Sequence, residues 1–270
     1  MSFDANGFLL PEMGGWAQTQ DELRDWLALA RDTNTAAMSV LYGVGPPKGS
    51  NAKLLASVFF GRALQSYQGA VLLAERGMVA DARTLVRSCL ESAIAIAGLA
   101  HDAAFVEDLV DSYERHRWGM GNALLNSPGS LTELGEEGAK EVRGALAEIA
   151  AEYGGKPPTI NWEEVATRVG MSQLYLSVYR RASSDGAHAT IESIARHAVV
   201  DDQFEIERLV FEPSSRDLAS SLSGLVSAML CAIEALAGIY DAEDLRSKAL
   251  EHADRWRKLE AELQRLSDTG

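Results

Sequence analysis

Basic residues are in short supply: 25 lysines and arginines stand against 39 aspartates and glutamates, a formal net charge of −14. A field of that sign repels nucleic acid and anionic membranes, so any nucleic-acid role requires a local basic patch. Cysteine is almost absent. Cys89 and Cys231 sit in apolar helical patterns without Cys-x-x-Cys spacing, which excludes a cysteine zinc site and points to reduced core thiols. Only seven prolines and 7% aromatic residues argue against a sandwich or barrel. The N-terminal "MSFDANGFLLPEMGG" carries Asp4 and no positive charge ahead of its apolar patch, so no secretory signal is expected. The longest uncharged run, Leu218–Ile233, is serine-rich and shorter than a bilayer requires. These absences lead to the expectation of a cytoplasmic chain that does not enter the membrane.

What remains is helical periodicity. Residues 20–42 open with an acidic turn and continue with apolar residues at helical spacing, and 51–76, 79–100, 102–126 and 131–153 follow the same rule. Breakers separate them: "GVGPPKGSN", Gly77, "NSPGS" and "GGKPPT". In the first of these the order is Lys-Gly-Ser and no strand precedes it, so it reads as a helix-to-helix loop and not as a phosphate loop. Asn161 caps a short helix through Val169, and residues 171–182 and 188–198 read as a helix pair. "VVDDQFEIERLVFEP" alternates at Phe204, Ile206, Leu209 and Phe211 about an Asp-Asp turn, the pattern of a hairpin. Residues 214–240 and 241–267 complete the chain. The fold class is all-α: one multi-helix bundle over residues 1–270, with residues 1–19 irregular, two buried apolar central helices at 79–100 and 214–240, and a minor hairpin.

Charged residues inside the two apolar helices are the first candidates for chemistry. Arg83, Arg87 and Glu91 are spaced four apart and share one face. A carboxylate in an apolar helix must be paired or hydrogen-bonded, because an isolated buried charge is very costly. Arg87 is its nearest partner. Such a pair either fixes helix register or makes Glu91 an acid, base or ligand clamp. Glu234 reads as a second inward-facing glutamate, but no Glu-x-x-His motif accompanies the two, so no metal or other cofactor is expected.

A second candidate is "YRRASSDGAHATIESIARHA", residues 179–198, where Arg181 and His188 flank a Ser-Ser-Asp-Gly turn. An arginine and a histidine held together suit metal-independent RNA cleavage: imidazole takes the 2′-hydroxyl proton and guanidinium neutralises the phosphorane. The alternative is structural, with Ser183, Ser184 and Asp185 capping a helix and His188 satisfying a buried backbone group.

Together, "GMVADARTLVRSCLESAIAIAGLAHDAAFVED" and the Tyr179–Ala198 segment resemble the bacterial domain of unknown function 5677 family over roughly residues 55–240. The family's Arg-Ser-x-x-Glu helix falls on Arg87, Ser88 and Glu91. Its Tyr-x-x-x-Ser and later histidine fall on Tyr179, Ser183 or Ser184, and His188. Gly186 and Ala187 lengthen the serine-to-histidine spacing. The resemblance implies a helical fold without an established activity, and a shared site in which Glu91 and His188 meet across the core beside Arg87. More distantly the segment is similar to HEPN ribonucleases, whose signature sets a polar residue after the arginine; Ala182 stands there.

Two functions follow as expectations. The first is an intracellular interaction or ligand-sensing domain with an Arg/Glu/His cluster, in which Tyr179, Ser183 and Ser184 contact the ligand. The alternative is a HEPN-like metal-independent ribonuclease, a homodimer acting on RNA, with His188 as base and Arg181 or Arg87 on the phosphate. In the last helix Trp256, Leu259 and Leu263 form a stripe that serves either a second copy or the chain's own core.

Overall fold

Capping chemistry sets where several helices begin. Ser50 Oγ accepts the Lys53 amide at 3.3 Å, Ser127 Oγ accepts that of Ser130 at 3.4 Å, and Asn161 Oδ1 accepts those of Glu163 and Glu164. Each satisfies an amide that the first helical turn leaves without a partner. The computed structural model describes residues 6–45, 49–179, 195–203 and 205–268.

Two 3₁₀ segments, Gly7–Leu9 and Pro11–Thr19, lead into α1 (Asp21–Gly43), α2 (Asn51–Glu75) and α3 (Val79–His101). Next come α4 (Phe105–Asn126), α5 (Pro128–Tyr153), α6 (Trp162–Arg168) and a short α7 (Ser172–Leu174) that continues as a π turn, Tyr175–Tyr179. A hairpin of β1 (Ala198–Val200) and β2 (Ile206–Leu209) precedes α8 (Leu218–Tyr240) and α9 (Glu243–Asp268). The protein is therefore an all-α bundle with one small hairpin among the described residues. Within α5, Gly135 adopts φ 66° and ψ −178°, a conformation that breaks the helix and that glycine reaches without strain.

The core is built around α3 and α8. Every residue from Ser92 to Ile96 in α3 and from Ser221 to Val226 in α8 is buried, so both helices are covered on all sides there. Helix α8 lies against α1, α2, α3 and α9, and α3 lies against α2, α6 and α8. Hydrogen bonds tie the layers: Tyr67 OH donates to Ala30 O at 2.8 Å, and Trp256 Nε1 donates to Ser223 Oγ at 2.9 Å. Helices α4 and α5 pack chiefly on each other, and they bury only Phe105, Gly121, Ala139 and Ile149.

Counted through Glu234, α8 is long and apolar enough to cross a membrane, with a mean hydropathy of 1.9, which corrects the shorter span read from uncharged residues alone. Of its most apolar window, 67% is buried against the rest of the bundle. In the hairpin, β1 and β2 pair antiparallel, Ala198 opposite Leu209, with an irregularity between Val199 and Val200. Asp201 Oδ1 accepts the amides of Gln203 and Glu205 at 2.8 and 2.9 Å, which folds the connection back locally.

Candidate functional site

On α3, Arg87 and Glu91 stand one turn apart, at the edge of the buried surface. The π turn that follows α7 brings a third polar group to them. A π turn widens the helix by one residue per hydrogen-bonded ring and re-aims the side chains that follow. Helix α8 receives this turn at Gly224, where an added Cβ would stand 2.7 Å from Val178 Cγ2. Tyr175 and Tyr179 stack with ring centroids 4.6 Å apart, which orients the Tyr179 hydroxyl towards α3.

The three side chains form a closed ring of hydrogen bonds. Tyr179 OH donates to Glu91 Oε1 at 2.8 Å, Arg87 Nη2 donates to Tyr179 OH at 3.0 Å, and Arg87 Nε donates to Glu91 Oε1 at 3.3 Å. The Arg87 guanidinium also lies 4.7 Å from the Tyr179 ring centroid, within cation–π range. The ion pair is largely covered but still reached by solvent, with side-chain exposures of 25% for Arg87 and 32% for Glu91. Among the described residues, Arg87 Nη1 and Glu91 Oε2 make no hydrogen bond.

The electrostatics favour one protonation state. Burial, then the hydrogen bond to Glu91 and its charge, push the Tyr179 phenol up to about 12, against the opposing pull of Arg87. Burial works against the Arg87 charge, but Tyr179 and Glu91 outweigh it and hold the guanidinium above its ordinary range. Tyr179 is therefore a neutral donor at physiological pH. The ring can present a guanidinium donor and a carboxylate acceptor.

Arg83, on the same stripe one turn earlier, serves a different junction. Its Nε donates to Ser221 Oγ at 3.1 Å, and its Nη2 lies 3.7 Å from Asp217 Oδ2. Arg196 Nη2 approaches the same carboxylate at 3.8 Å. Asp217 holds φ 66° immediately before α8, so the two arginines secure the entry to the central helix.

Of the residues singled out by sequence, Arg87, Glu91 and Tyr179 come together. His188, Arg181, Ser183 and Ser184 lie outside the described residues, as does the expected meeting of Glu91 with His188. Glu234 does not face inward: it is exposed on α8. Trp256, Leu259 and Leu263 pack against the chain's own core. Tyr175 was missed, although its spacing of four from Tyr179 is a readable signal for a stacked pair. The Asp217 partner of Arg83, which depends on a contact between segments far apart in sequence, left no local signal.

A family model described as a family of unknown function, DUF5677, matches residues 53–205, more than half of the chain. The chain belongs to this family. The DUF5677 match includes α3 with Arg87 and Glu91 and the π turn with Tyr179, and it ends before α8, short of the limit near residue 240 read from the sequence. Comparison with curated proteins and with solved structures finds no match.

Proposed function

We propose that this DUF5677 protein is an intracellular interaction or ligand-sensing domain whose recognition site is the Arg87–Tyr179–Glu91 ring. The observation that carries the reading is the ring itself: three polar groups closed on one another yet open on one side, between a core helix and a π turn. Outside the ring the pair keeps one donor, Arg87 Nη1, and one acceptor, Glu91 Oε2. A ligand that carries both an acceptor and a donor, such as an amide or a nucleobase, complements them. Because Tyr179 ends the π turn, a ligand that draws Arg87 or Glu91 out of the ring alters the hold on that turn.

The ribonuclease alternative draws its support from the Arg181–His188 sequence alone. One experiment separates the two. Thermal-shift measurements on the full chain against a panel of nucleobases and small amides are expected to give a stabilising compound whose effect disappears in Glu91→Gln. Parallel incubation with fluorescent single-stranded RNA is expected to leave the RNA intact. A chain that no panel compound stabilises, and that cleaves RNA unless His188→Ala is introduced, overturns the proposal in favour of the enzyme.

A further inference from the structure

A cavity of about 500 Å³ opens where α3 begins, and its lining includes none of the three ring residues. Four segments wall it: the 3₁₀ turn at Phe8, the Gly77–Asp81 entry to α3, residues 195–199 entering β1, and residues 210–216 leaving β2. The Ser214 amide donates to Gly77 O at 3.2 Å and ties the second wall to the fourth. The volume falls within the range of roughly 300–1,000 Å³ typical of small-molecule sites.

The lining divides into an apolar part and a polar part. Phe8, Val79, Val199 and Phe211 supply the apolar surface, and the Phe211 ring stacks on His197 with centroids 6.0 Å apart. Two of the lining charges are engaged elsewhere: Arg196 with Asp217 at 3.8 Å, and Glu212 with Arg208 at 3.5 Å. His197 Nδ1 lies 3.1 Å from Val210 O, so the ring turns its Nε2 away from that carbonyl. Arg216 is exposed and, among the described residues, its guanidinium makes no ion pair. Asp81 is the opposing carboxylate. It stands in the first turn of α3, where Met78 provides no side-chain cap and the backbone amides add positive potential.

We infer that this cavity binds an amphipathic carboxylate, a small anion joined to an apolar body. The head group pairs with Arg216, assisted by His197 and the first turn of α3, and the body lies against Phe8, Val79 and Phe211. This site is independent of the recognition ring, so the two readings stand or fall separately.

Isothermal titration calorimetry of the full chain with sodium octanoate tests it, with octanamide as the uncharged match. Saturable one-site binding of octanoate is expected, weakened about tenfold both for octanamide and in Arg216→Gln, the loss of one charge-assisted contact. Arg87→Gln is expected to leave octanoate binding unchanged, which separates this cavity from the ring. Absence of saturable binding, equal affinity for the amide, or no effect of Arg216→Gln overturns the inference.

Discussion

Helices α3 and α8 are alike in length, in burial and in carrying a carboxylate well inside an apolar run, yet they use that carboxylate in opposite ways. Glu91 accepts two hydrogen bonds within a ring that spans two elements. Glu234 is exposed on a face of small or polar residues, half-buried at Ser227 and Cys231 and exposed at Gly238, that breaks the apolar surface of α8. The lesson concerns phase: one acidic residue in an apolar helix marks a site only when its helical face meets another element.

Breaking the common feature has the largest effect. Ile94→Ala in α3 and Ile233→Ala in α8 each remove a fully buried side chain, and each is expected to lower stability by about 2–5 kcal/mol in urea denaturation. A small loss in either helix would contradict its central place in the bundle.

The difference between the helices appears at the carboxylates. Glu91→Gln weakens the acceptor of Arg87 and Tyr179, and the loss is expected to be about 1 kcal/mol, a figure reduced for the solvent that reaches the pair. Tyr179→Phe removes one donor and one acceptor from the same ring, and about 0.5–1.5 kcal/mol is expected in the same assay. Glu234→Gln is expected to stay within about 0.5 kcal/mol of the unsubstituted chain. Equal losses for Glu91→Gln and Glu234→Gln would erase the distinction.

Alkaline titration sharpens the comparison further. Because Tyr179 holds its proton more tightly folded than unfolded, its contribution is complete below pH 10 and is lost as pH rises through about 12. In NMR spectra of chain labelled with ζ-¹³C tyrosine, the signal absent from Tyr179→Phe is expected to titrate near pH 12. Glu91→Gln should move that titration downward, because the carboxylate charge and hydrogen bond both oppose phenolate formation. Glu234→Gln should not move it.

Much of this was legible in the sequence. The burial of α3 and α8 follows from their sparse charge, and the cap at Asn161 from local chemistry. The Arg87–Glu91 pair follows from helical spacing. What escaped was set by contacts distant in sequence. The segment 171–182 carries a helical pattern, and nothing local signals that its second turn widens to a π turn. That turn docks where Gly224 of α8 leaves room for Val178. Arg83 shares the stripe of Arg87, but Ser221 and Asp217 draw it to the start of α8. Glu234 was misread although Ser227, Cys231 and Gly238 carried the signal, because charge sparsity was weighed over the whole helix and its phase was not.

The central claim is that Glu91 and Tyr179 act as one unit that joins the core helix to the π turn. A double-mutant cycle of Glu91→Gln and Tyr179→Phe, measured by urea denaturation, tests it most directly. The account predicts a coupling energy of at least about 0.5 kcal/mol, as expected for residues within one hydrogen-bond network. Additivity within about 0.3 kcal/mol, the behaviour of independent sites, would contradict it.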